Sequence, residues 1–141
     1  RRLLAINPDA PPRIHHLENT NVTMSVSRGE IYFVELGPIR GHEMNDKRRP
    51  AVVLSINSIN RKDWVITVIP GTSYKEGKRV YDNQVKIEPS PENGLANTTI
   101  FECTQIKALD YGRFDRMSVG YLSAAQLAKL EDAIRLCLGL I

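Results

Sequence analysis

Thiols, imidazoles and long apolar runs are all in short supply in this sequence, and each shortage closes off a class of protein. The two cysteines, Cys103 and Cys137, stand far apart, which excludes a disulfide scaffold and offers none of the clustered spacings that zinc demands. They are expected to be reduced and buried. Of the three histidines, His15 and His16 fall in a proline-containing, polar N-terminal stretch, and His42 is the one in the part expected to fold. No metal and no cofactor are expected on these grounds. No apolar run approaches the ~18 residues of a membrane helix. The N-terminus also lacks a positively charged segment followed by an apolar stretch of signal-peptide length. A cytoplasmic address with no membrane partner is therefore expected. Internal repeats and low-complexity tracts are absent as well.

What is present describes one ordinary domain. The chain has 141 residues, 42% of them hydrophobic and 25% charged, close to globular averages. The formal net charge of +3 is unevenly spread. Between Gly37 and Tyr81 nine basic residues (Arg40, Lys47, Arg48, Arg49, Arg61, Lys62, Lys75, Lys78, Arg79) face four acids (Glu43, Asp46, Asp63, Glu76). A local excess of that sign in loop-rich sequence suits a surface that meets a polyanion, though solvated loops would read the same way.

Residues 1–27 show neither helical nor alternating periodicity and are expected to lie outside the fold as a leader or extension. The fold should then occupy 28–141. Gly29 to Leu36 is a β-branched and aromatic run stopped by Gly37-Pro38, which predicts a first strand. Pro50 opens a second at Ala51 to Ile56, apolar enough to be buried on both faces, and Trp64 to Ile69 repeats the pattern up to a stop at Pro70-Gly71. Shorter strands are expected at Gln84 to Ile87, Thr98 to Gln105 and within Arg116 to Leu122. Ser123 can cap a helix with Gln126 as its reciprocal partner. Leu127, Leu130, Ile134 and Leu138 then recur at helical spacing, and Gly139 supplies a stop. The architecture expected is mainly β with helices: a small barrel with a C-terminal amphipathic helix across its open side.

Six blocks in register carry a family resemblance. The run Arg28 to Pro38 (RGEIYFVELGP), Gly41-His42-Glu43, and Arg49 to Ser55 (RPAVVLS) are similar to the N-terminal signature of the MazF/PemK toxins. Val68 to Ser73 (VIPGTS), Gln105 to Asp110 (QIKALD), and Gly120 to Ser123 leading into the helix that ends Leu138-Gly139-Leu140 agree in order. The resemblance spans Arg28 to Leu140. It implies an SH3-like barrel, a homodimer, and the toxin role in a type II toxin-antitoxin system, with a cognate antitoxin as partner. It also implies metal-independent, sequence-specific cleavage of single-stranded RNA by attack of a 2′-hydroxyl, leaving a 2′,3′-cyclic phosphate and a 5′-hydroxyl. Carried over by position, Arg49 and Thr72 match the catalytic pair, while Arg28, His42, Glu43, Ser73 and Gln105 fall where RNA is contacted. One departure matters. Relatives usually carry an acid just before the glutamine of the fifth strand and, in PemK-like members, a base two positions before that acid. Here those positions hold Thr104 and Glu102, so the resemblance assigns no general base.

The residue chemistry agrees with part of this. Phosphoryl oxygens that gain charge need fixed cationic donors. Arg49 offers a planar fork from a point stiffened by Pro50, which restricts its predecessor to extended backbone. Thr72 can donate to and accept from a substrate oxygen, or simply satisfy its own turn. His42 is the natural proton carrier near neutral pH, though a loop imidazole can equally stack on a base. Glu43 can accept from a base edge or balance nearby arginines. Of the aromatics, Tyr74 and Tyr81 are the ones placed to stack, since strand aromatics usually face the core. Two other readings stay open from sequence: a non-catalytic nucleic-acid-binding module, and a gyrase-poisoning toxin on the same barrel.

Overall fold

The computed structural model describes residues 26–44, 48–62 and 64–140. The expected leader, residues 1–25, lies outside them. Val26 is 1% exposed and packs into a core cluster, and the Ser27 amide donates to Glu30 Oε1 at 2.7 Å. Both residues precede the boundary expected at residue 28 and are tied into the fold.

Seven strands form one curled antiparallel sheet: β1 (Glu30–Glu35), β2 (Arg48–Val53), β3 (Val65–Ser73), β4 (Gln84–Ile87), β5 (Thr99–Glu102), β6 (Lys107–Asp110) and β7 (Gly120–Tyr121). A single helical turn, α1 (Asn57–Asn60), links β2 to β3, and α2 (Ala124–Leu138) ends the fold. The strand order is β4-β5-β3-β2-β1-β7, with β6 also pairing β3. Beyond β6 the chain returns to β1 through a Val34↔Phe114 bridge. The Asp115 amide then donates to Phe33 O at 2.9 Å, and Arg113 donates to the carbonyls of Glu35 and Gly37. These contacts close the barrel that the sequence predicts.

The central strands bury both faces because their apolar residues run without alternation. On β2, Ala51 and Val53 enter the cluster with Tyr32, Val34, Ile66, Val68 and Tyr111. Val52 points the other way, among Ile31, Ile69, Phe101, Leu130 and Ile134. The second cluster is roofed by α2. Ser123 accepts from the Gln126 amide, and the Gln126 side chain accepts from the Ser123 amide, completing the capping box, while Gly139 ends the helix at φ 67°. Leu130, Ala133 and Ile134 are buried, but Leu138 is 52% exposed. The buried stripe therefore stops one turn earlier than the leucine spacing suggests.

Pro70 and Gly71 do not end the third strand, which runs on to Ser73. They mark the point where β3 changes neighbours. Ala51↔Pro70 is the last pair with β2, and Gly71↔Phe101 opens the ladder with β5. A proline without an N–H and a glycine without a Cβ suit this corner. A Cβ on Gly71 would sit 2.6 Å from Thr99 Cγ2 and 2.9 Å from the Phe101 ring. The run expected as a fifth strand, Thr98 to Gln105, is strand only to Glu102 and ends in a three-residue 3-10 turn, Cys103–Gln105. β6, which was not expected from the sequence, then pairs with the earlier half of β3.

Candidate active site

Where β2 and β3 part, the sheet opens. β2 still pairs with β1 as far as Glu35↔Arg48 and Val34↔Arg49, whereas its ladder with β3 has ended at Pro70. Continuing that register by two residues sets Arg49 opposite Thr72, and opposed residues of an antiparallel pair share a face. The gap is a hollow of about 510 Å3 lined by Arg48, Arg49, Thr72, Ser73, Lys75 and Asn97 over a floor that includes Phe33, Gly71 and Thr99. Partial burial lowers the pKa of the Arg49 guanidinium from its ordinary value. A guanidinium stays charged under such a shift, so a cation sits here with part of its hydration already removed. Arg48 beside it is paired with Asp115, and more loosely with Glu35 at 3.8 Å. No carboxylate and no imidazole is among the described residues lining this hollow.

The third wall, Leu95 to Asn97, is delivered by a turn that Asn93 organises. Its buried side chain accepts from the Ser90 and Leu95 amides, each at 3.0 Å, and donates to Glu88 O at 2.8 Å. Gly94 sits at φ +65°, where a Cβ would lie 1.9 Å from Val119 O, so this position requires glycine.

His42, Glu43 and Gln105 meet elsewhere, in a hollow of about 430 Å3 that they line with Arg40, Thr104 and Lys107. It shares no lining residue with the first. Glu43 closes its own loop by accepting from the Arg40 amide at 2.5 Å, and Gln105 Oε1 accepts from the Met44 amide at 3.3 Å. Thr104, where the resemblance leads one to expect an acid, is exposed on the 3-10 turn. Glu102 accepts from Gln84 Nε2 at 2.7 Å and Asn83 Nδ2 at 3.3 Å, which commits it to holding β4.

Arg28 lines neither hollow. Its Nη2 donates to Glu131 Oε2 at 2.6 Å and its Nε to Leu54 O at 2.8 Å, tying the start of β1 to α2. The structure thus brings Arg49, Thr72 and Ser73 together, brings His42, Glu43 and Gln105 together, and places Arg28 apart from both, paired with Glu131. Sequence reasoning missed Phe33, Lys75 and Asn97. Phe33 read as a core aromatic, and no local signal ties Asn97 to a strand end so distant in the chain. Cys103 is fully buried, and burial first, then the neighbouring Cys137 and Glu102, push its thiol up to about 12. An inert thiol of this kind fits the structural role expected of it. Among the described residues no group of three or more His, Cys, Asp or Glu is placed to hold a metal ion, and no helix is long and apolar enough to cross a membrane.

The molecule is thus a small curled barrel with a helix packed on one face and a cationic, hydroxyl-lined opening at its strand ends. Residues 27–138 match the family described as PemK-like, MazF-like toxin of type II toxin-antitoxin system, and the chain belongs to that family. Endoribonuclease MazF9 of Mycobacterium tuberculosis is 39% identical over 118 residues, covering 80% of this chain and 96% of that protein. Among solved structures, an endoribonuclease in complex with its cognate antitoxin from a mycobacterial species superposes with a TM-score of 0.66 at 22% identity, covering 82% of this chain and 97% of that one. MazF from Deinococcus radiodurans gives a TM-score of 0.65 at 25% identity, with the same coverages of 82% and 97%.

Proposed function

We propose that this toxin is a metal-independent endoribonuclease that cuts unpaired RNA in the cytoplasm. The observation that carries this reading is the convergence of Arg49, Thr72 and Ser73 in one hollow at the parting of β2 and β3. In the reaction, the 2′-oxygen of one nucleotide attacks the adjacent phosphorus, the bond to the 5′-oxygen of the next nucleotide breaks, and a 2′,3′-cyclic phosphate remains. The 2′-hydroxyl loses a proton and the departing oxygen gains one. Arg49, partly desolvated and projecting from a strand, can hold the phosphoryl oxygens as they gain charge. The Thr72 and Ser73 hydroxyls can orient the attacking group. The hollow contains no proton acceptor of its own among its described lining residues. We assign that task to His42, on the loop that precedes β2, which requires substrate to span both hollows.

The endoribonuclease name of the mycobacterial relative supports the same chemistry. Antitoxin complexes in the same fold, including MazE-MazF from Deinococcus radiodurans, support a cognate antitoxin as partner, and we extend the reading to a homodimeric assembly. The test is incubation of the purified protein with a long unpaired RNA, with and without a chelator. Discrete cuts ending in cyclic phosphate and 5′-hydroxyl, unchanged by chelator, are expected. RNA that is bound but left whole would replace the reading with that of a binding module, and chelator-sensitive cutting would remove its metal-independent part.

A further inference from the structure

Beside the Arg49 hollow lies a smaller one of about 300 Å3, whose walls include Tyr74, Lys75, Lys78, Arg79, Tyr81 and Gln84. Thr72, Ser73 and Lys75 line both, so the hollows form one track. We propose that the smaller hollow is a base-reading subsite, which stacks the nucleobase next to the scissile phosphate and contributes to the choice of cleavage sequence. The proposal rests on the RNA-cleaving reading above and adds where a base is held and by what.

Charge, aromatic surface and rigidity all support it. Lys75, Lys78 and Arg79 line the hollow without any carboxylate among its described lining residues, which suits a phosphodiester backbone on either side of a bound base. Tyr81 is 53% exposed although it is a large ring, and an exposed ring in a cationic setting is the usual platform for unpaired bases. Each tyrosine already has a cation over its face: Arg79 Cζ lies 4.8 Å from the Tyr81 centroid, and Lys86 Nζ lies 4.2 Å from that of Tyr74. Each cation occupies one face of its ring, so a base stacks on the opposite face or displaces Arg79 from Tyr81, while Lys75 and Lys78 in the same hollow are available to neutralise phosphate.

The platform is also held in place before any ligand arrives. The Tyr74 amide donates to Thr98 O at 2.8 Å and its hydroxyl to Lys78 O at 3.1 Å. The Tyr81 amide donates to Gln84 Oε1 at 2.9 Å, and Gln84 is anchored in turn on Glu102. These bonds fix the Tyr74 side chain and the backbone that carries Tyr81, which lowers the ordering cost on binding. Glu102 thus has a role here as the anchor of the platform, at a position where the resemblance leads one to expect a basic residue.

The test uses a short unpaired RNA spanning one cleavage site, with the attacking hydroxyl replaced by hydrogen so that it binds uncut, and a series in which each nucleotide in turn is abasic. Wild-type protein should lose roughly 5- to 100-fold in affinity at one position flanking the scissile phosphate. Tyr81→Ala should bind the intact RNA weaker by a similar factor and show no further loss at that position, while Tyr81→Phe should behave as wild type. An equal abasic penalty in Tyr81→Ala and wild type, or none at any flanking position, overturns the subsite. Unmodified RNA run in parallel separates the two claims. If wild type leaves it uncut, the nuclease reading falls, and the abasic profile still decides whether a base is held here.

Discussion

The Arg49 hollow and the His42 hollow differ in what holds them. The first is made at the ends of strands: Arg49 is locked opposite Val34 in the β1–β2 ladder, and Thr72 opposite Ile100 in the β3–β5 ladder. The second is made by a loop that folds on itself through Arg40 and Glu43 and touches the barrel through the Gln105 side chain. Strand-borne groups are fixed by many backbone hydrogen bonds, whereas a loop held by a few can move at low cost. The Arg49 hollow is thereby preorganised, whereas the His42 hollow sits on an element more able to adjust to what enters it.

That contrast can be broken in order of expected effect. Arg49→Ala should lower cleavage by roughly 10²- to 10³-fold, the usual consequence of removing one fixed donor to developing charge, with the thermal midpoint nearly unchanged. Retention of wild-type rates would transfer the phosphate to another group. Gly71→Ala attacks the corner beneath the hollow. The added carbon meets Thr99 and Phe101, which are 4% and 0% exposed and so have little room to yield. A loss of roughly 1–3 kcal/mol in urea unfolding is expected, together with slower cleavage, and an unaltered midpoint would show the corner to be softer than its contacts imply. Arg28→Ala sharpens the distinction between site and scaffold. Stability should fall by roughly 1 kcal/mol, since a part-exposed ion pair and one backbone hydrogen bond are lost, with KM for RNA unmoved. A several-fold rise in KM at constant stability would return Arg28 to the list of RNA contacts.

Arg28 also shows the limit of position matching. The resemblance sets it among RNA contacts, whereas in the fold its guanidinium is paired with Glu131, 103 residues away on α2. Nothing near Arg28 in the chain announces that partner. Thr72 shows the opposite case. Pro70-Gly71 was legible as a break in a strand pattern, and the break proved to be a change of neighbour, because the loss of one N–H and one Cβ lets a strand turn a corner as readily as end. Most of the barrel's strands and the capped helix were readable, since periodicity and cap chemistry act over a few residues. β6 and the Arg48–Pro50 part of β2, expected to start only at Ala51, were not, because they are strand through their pairing with β3 and β1.

Local sequence therefore determined most of the strand segments, where the C-terminal helix would begin and stop, and which side chains had the chemistry to meet a phosphate. Which of them stand together was decided by strand register and barrel closure. Those are long-range pairings, and their geometry depends on the whole set of apolar contacts being satisfied at once, so no single segment contains it. The track from Arg49 past Thr72 to Tyr81 exists because β3 exchanges β2 for β5 halfway along its length.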